Sequence, residues 1–291
     1  MNRTTLEKRT NLTFLNKNII NSNSEELINF YLGEASKETF SDKKEIFIRS
    51  LNALQKTKIP YKKDTIDLVF DNDDLTQHLI DNFMIDIEDV TNNKHIFLPE
   101  EREEIIYKVN MALNLIALLH KDLHELIVSH IGAFYFAKKE GFGGGSVSGL
   151  VGMIWLNPPS YWNIVDYAEA IYHEFIHNSL FLDDMVNCIF PNPEACTSDE
   201  ALTTSTILKR KRPLDRSFHA ANVSIGIMHL YHLLGDTAKS RMYKEDLEVT
   251  ISELNERTHF LGERGILILN EMNNFLKNFD FDSITLTLQG K

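Results

Sequence analysis

Residues 171–180 read IYHEFIHNSL, with His173 and His177 four positions apart and Glu174 beside the first. A helix turns about 100° per residue, so side chains at i and i+4 project from one face and can reach one cation. Glu174 can approach the open position of such a metal. This is the spacing that zinc peptidases use, with the glutamate as general base. Two imidazoles rarely suffice, so a third ligand is expected from elsewhere in the chain. The three-histidine peptidase pattern HExxHxxGxxH is absent, because position 180 is Leu and position 183 is Asp. A carboxylate-ligand peptidase would need Glu194 or Glu200, which sit in a turn and in a short polar segment. The better candidate is His219, near the start of an almost wholly apolar helix, where a buried imidazole needs a partner. Glu169 and Asp184 lie along the line of the motif and are expected to orient its imidazoles.

The run Lys209, Arg210, Lys211, Arg212 and Arg216 concentrates positive charge just before His219. Arginine grips carboxylates through its planar fork, and a helix N-terminus adds attraction for an anion. A metal beside Arg212 or Arg216 suits a small dicarboxylate that chelates at one end and pairs with arginine at the other. 2-Oxoglutarate is such a molecule, and peptide hydrolysis needs no such pocket.

Taken in order, GSVSGLVGMIWLN, YHEFIHNSL and KRPLDRSFHAANVSIGIMHLYHL resemble the HExxH-type 2-oxoglutarate-dependent peptide β-hydroxylases that accompany ribosomally made, modified peptides. The resemblance spans roughly residues 143–234. It implies non-haem Fe(II) held by His173, His177 and His219, with Arg212 as the anchor of the co-substrate and Arg216 as second choice. It also implies a precursor peptide as partner and a side-chain β-carbon as the position hydroxylated. Glu174 would then orient a ligand or a water, or add a ligand, rather than act as a base. This sequence departs from the family at Ile176, where Gln is frequent, and at Ala220, where Gly is frequent. The alternatives are a zinc peptidase using Glu174 and a peptide-binding protein without catalysis.

The elements that must position these groups are read from period and punctuation. Apolar spacing predicts helices over 24–40, 43–54 and 75–89, and a long one from Pro99, with acids in its first turn. TIDLVF (65–70) reads as a short strand. Residues 125–139 read as a strand on their β-branched and aromatic content, and LVGMIWLN (150–157) as a buried one. The glycines between them suggest a hairpin, and the second strand is the expected edge for an extended peptide. GFGGGS lacks the Gly-Lys-Ser/Thr ending of a phosphate loop. Asn163 or Ser160, with Asp166 available as a partner, predicts the cap of the motif helix. Helices near 214–235, 243–257 and 261–278 follow, and SITLTLQ (283–289) reads as a closing strand. The expectation is a mainly α (α+β) metalloprotein with a small antiparallel sheet beside the HExxH helix. Residues 1–124 are expected to form an N-terminal helical region and 125–291 the catalytic region, with one continuous domain as the alternative.

The 291 residues carry 30 Lys and Arg against 42 Asp and Glu, a net charge of −12. That balance disfavours general binding to nucleic acid or to anionic membranes. The absence of a long apolar run and of an apolar N-terminal core points to neither a membrane span nor a signal peptide. Two cysteines, Cys188 and Cys196, give no disulfide scaffold, and a reducing cytoplasm is the simplest location.

Overall fold

The computed structural model describes residues 12–34 and 42–291. Residues 1–11, and the 35–40 end of the helix expected over 24–40, lie outside the described residues. Two helices, α1 (Lys17–Glu34) and α2 (Lys43–Gln55), precede strand β1 (Asp67–Val69). Helices α3 (Asp73–Asp81), α4 (Ile87–Thr91), α5 (Pro99–Leu119) and α6 (Lys121–His130) lead to β2 (Ala133–Phe136), β3 (Gly144–Gly145) and β4 (Met153–Leu156). The motif helix α7 (Ile164–Asn187) is followed by the short pair β5 (Thr203–Thr204) and β6 (Lys211–Arg212). Helices α8 (Leu214–Leu233), α9 (Lys244–Asn255), α10 (Glu263–Asn278) and α11 (Phe281–Leu288) complete the chain. The fold is thus mainly helical with two small sheets.

Local chemistry starts α2, α3 and α5 near where the sequence suggests, whereas α1 starts at Lys17 rather than at 24. Asp42 accepts from the Glu45 amide and Asn72 from the Leu75 amide, each satisfying an orphan donor of a first turn. At α5 the Glu101 carboxylate reaches back to the Leu98 amide, with Pro99 as the first helical residue.

The larger sheet has the order β1-β2-β4-β3. The pairs β1–β2 and β2–β4 are parallel, and only β3–β4 is antiparallel. The hairpin expected between the strands flanking the glycines is therefore wrong. β2 and β4 lie side by side in one direction, and the glycine segment itself supplies the antiparallel strand. Both central strands are buried on both faces, as parallel strands covered by helices must be. Phe134, Phe136, Ile154 and Leu156 join the larger apolar core, which also holds Tyr172 and Phe175 of α7. Their alternates Ala133, Tyr135, Met153 and Trp155 pack into a second core with Phe47 and Leu51. The larger core draws on residues from Leu12 to Leu288, on both sides of position 124.

Three further expectations give way. The strand expected over 125–139 shrinks to β2, because His120 caps a new helix by accepting from the Leu123 amide. Leu123, Leu126, Ile127 and His130 then recur at helical spacing on the buried side, and that period outweighs β propensity. The helix expected over 75–89 divides into α3 and α4 at Phe83, which adopts a left-handed conformation with φ 58°. The closing strand at 283–289 is helix α11. Asp280 accepts from the Ser283 amide, and Phe281, Ile284, Thr287 and Leu288 bury one helical face. Among the described residues no helix is long and apolar enough to cross a membrane.

Candidate metal centre and adjoining groove

α7 begins with the capping box its sequence encodes. The Asn163 side chain accepts from the Val165 and Asp166 amides, and Asp166 accepts from the Asn163 amide. Two turns further on, the rings of His173 and His177 lie 5.1 Å apart. One ligand atom from each of His173, Glu174 and His177 falls within 4.8 Å of the others. Helix α8 packs against α7 through Gly226, where a Cβ would collide with the Ile176 side chain. That close approach brings His219 to the motif: its Nδ1 lies 3.0 Å from Nδ1 of His177, with the rings nearly parallel. Phe181 and Phe190 close over the His219 ring, at 4.7 and 6.1 Å between centroids. Among the described residues His173, Glu174 and His177 form the one compact donor set, and His219 stands beside it against His177.

Burial sets the protonation of this group. It pushes His173 down to about 4 and His219 to about 3, so both imidazoles are neutral near pH 7. His177 is pushed well below its ordinary range by burial, and next by the charges of His173, His219 and Arg212. Burial raises Glu174 to about 8, against a hydrogen bond from Ser146 that lowers it. Glu174 is 7% exposed, and its Oε2 has no hydrogen-bond partner. Neutral imidazoles beside a buried carboxylate with an unused oxygen are the donor chemistry that a divalent transition metal takes. His173, Glu174 and His177 thus fit a resident metal.

Two residues that hold the motif in place carry no strong sequence signal. Asn178, directly after His177, is buried and uses its whole amide. Its Oδ1 accepts from the Gly152 amide, while its Nδ2 donates to Ser146 Oγ, Met153 O and Glu174 O. Ser146, just past β3, also reaches the Glu174 carbonyl at 3.4 Å. Asn178→Ala strands the Gly152 amide, and a buried donor without a partner costs about 1–3 kcal/mol. A urea titration of this variant is expected to show that loss, with an unshifted midpoint counting against the pinning role. The only available signal was a polar residue on an otherwise apolar helix face.

The expected orienters do not touch the imidazoles. Tyr231 of α8 donates to Glu169 Oε2, and Asp184 accepts from the Phe190 amide just beyond the helix end. Each carboxylate is held by a group that the linear spacing does not reveal. Among the described residues, the polar groups beside the imidazoles are one another and Glu174, whose Oε1 lies 3.6 Å from His173 Nε2. Glu194 and Glu200 are exposed and stand outside the metal-ligating group, and Glu200 faces His259 at 3.6 Å.

The basic run divides by residue type. Lys209 pairs with Asp246 and Lys211 with Glu253, both on α9. Arg210, Arg212 and Arg216 have no hydrogen-bonding or ionic side-chain partner among the described residues. Pairing of β5 with β6 sets Arg212 opposite Thr203, whose carbonyl accepts from Ser217 Oγ of α8. Arg212 is half-buried and Arg216 exposed. Burial, followed by the charges of Arg216 and Arg210, lowers the Arg212 pKa, so like charges crowd here.

The edges of the sheet are β1 and, beside the motif helix, β3, not the 150–157 strand, because β4 lies inside between β2 and β3. The Asn157 amide donates to Gly143 O, and Gly144 stands opposite Leu156. Alternation of antiparallel pairing then turns the N–H and C=O of Gly144 away from β4. A groove runs beside this edge, lined by Gly143, Gly144, Trp162, Glu169, His173 and Glu174 among others. No protein-family model matches the chain, and no curated protein does.

Proposed function

We propose that the protein is an Fe(II)- and 2-oxoglutarate-dependent oxygenase that hydroxylates a side-chain β-carbon of a ribosomally made precursor peptide. The observation that carries this reading is the approach of His219 to His177 of the motif, with Arg212, half-buried and without an ionic partner among the described residues, on the short strand that leads into the same helix α8. Iron with 2-oxoglutarate supplies the oxidation, converting 2-oxoglutarate and O2 to succinate and CO2 while one oxygen atom enters the C–H bond. His173, His177 and His219 hold the metal as neutral imidazoles, leaving positions for small ligands. Arg212 pairs with the far carboxylate of 2-oxoglutarate, and its partial burial strengthens the pair. Phe181 and Phe190 exclude water from the His219 side. Glu174 keeps its proton near neutral pH when no cation is beside it, and hydrogen-bonds a ligand at the open face. The peptide lies along β3 by strand addition, with Gly144 offering its backbone groups.

A second reading, zinc-dependent peptide hydrolysis with Glu174 as base, is favoured by the tight grouping of Glu174 with both motif histidines. It leaves the three unpaired arginines without a task. Purified protein given Fe(II), ascorbate, 2-oxoglutarate and a neighbouring-gene precursor peptide is expected to form succinate in step with a 16 Da gain on the peptide, the mass of one added oxygen atom (~16 Da). Peptide cleavage with zinc, lost in Glu174→Gln, together with no succinate, would overturn the oxygenase reading.

A further inference from the structure

The wall of the groove opposite β3 is one stripe of α7. Asp166, Glu169, Ala170 and His173 recur along it at helical spacing, and all line the cavity. Two carboxylates therefore lead to the metal-ligating end. Glu169 gives Oε2 to Tyr231 and Asp166 gives Oδ2 to the Asn163 amide, so each has a second oxygen without a partner among the described residues. Neither carboxylate has an ionic partner among the described residues. Lys108 is held by Glu104 and the Trp162 carbonyl, and Lys239 by the Tyr231 ring and hydroxyl. Independently of this pair, the nine-tenths-buried Glu174 lines the same groove with Oε2 unpartnered.

The geometry points to a cation-selecting subsite: the groove takes a peptide carrying Lys or Arg about two residues from the residue that reaches the metal. Glu169 precedes His173 by four helical residues, about 6 Å along the axis at ~1.5 Å each. An extended peptide on β3 covers that distance in roughly two residues at ~3.3 Å each, and residues two apart share a face. The cationic side chain thus emerges on the same side as the reacting one. The carboxylates meet it across a partly desolvated groove, where opposite charge is worth more than at an open surface. The inference rests on the peptide-modifying reading of the site and adds the sequence feature that the site selects.

The test uses fluorescent nonapeptides of alanine with a central hydroxamate side chain as the metal-directed anchor, and Lys, norleucine or Glu at the second position before or after it. Anisotropy with the full-length, zinc-loaded protein reads binding without turnover. At one of the two positions Lys is expected to bind about tenfold tighter than norleucine, the scale of one charge-assisted hydrogen bond, with Glu weakest. Glu169→Gln keeps an acceptor for Tyr231 and so retains the packing of α7 on α8. It is expected to remove the preference for Lys while leaving the norleucine peptide's affinity unchanged. Equal binding of Lys and norleucine peptides at both positions overturns the subsite, as does a Lys preference that survives in both Glu169→Gln and the Asp166→Asn/Glu169→Gln double variant. Succinate formation is read separately. A Lys preference without succinate keeps the subsite and removes the oxygenase, and succinate without a Lys preference does the reverse.

Discussion

His219→Ala is expected to weaken metal binding by at least about 100-fold, because even outer-shell partners of metal ligands contribute ~10–100-fold. His219 is buried among Phe181 and Phe190, and its one polar neighbour is His177. The two Nδ1 atoms face each other at 3.0 Å, and a shared cation would give both a bond. Alanine also leaves a cavity, so His219→Phe is the companion variant, filling most of the volume with no donor atom. Both variants are expected to lose stoichiometric iron in equilibrium dialysis while keeping their helical circular dichroism. Glu174→Gln is expected to keep iron, since Glu174 is the alternative third donor and not the one this account uses. Iron retained in both His219 variants and lost in Glu174→Gln would transfer the third ligand to the carboxylate.

Arg212→Ala separates the co-substrate from the metal. A guanidinium–carboxylate bond in a partly buried site contributes about 1.5–3 kcal/mol, or roughly 10–100-fold in affinity. Anaerobic calorimetry on iron-loaded protein is expected to show 2-oxoglutarate binding weakened by that factor, with iron content unchanged. Arg212→Lys is expected to recover only part of the loss, because an ammonium lacks the fork that engages both carboxylate oxygens. Arg216 is exposed, so Arg216→Ala is expected to lose less, and that loss to shrink at high salt. Unchanged affinity in Arg212→Ala would remove this residue from the anchor role.

What the sequence made legible was what local chemistry decides. The Asn163–Asp166 box fixes the start of α7, and the apolar spacing behind it fixes the face that carries His173 and His177. The burial of His219 was legible for a related reason: a polar ring in an almost wholly apolar helix goes into the core with that helix. Relations between distant segments were not legible. β2 and β4 are both short apolar runs, and nothing in either declares that they run parallel or that a pair of glycines forms the outer strand. Arg212 owes its place to the β5–β6 pair of two residues each, too short to leave a period. Glu169 and Asp184 were aligned with the motif by helical arithmetic, but their partners, Tyr231 and the Phe190 amide, come from a neighbouring helix and from the turn beyond α7. The TLTL alternation near the C-terminus reads as a strand until Asp280 caps it as a helix.

Iron K-edge X-ray absorption on the Fe(II)-loaded protein tests the central claim most directly, because it counts imidazole rings around the metal. The account predicts a three-imidazole shell that falls to two in His219→Phe. A two-imidazole shell in the unaltered protein, left unchanged by His219→Phe and altered by Glu174→Gln, would contradict it.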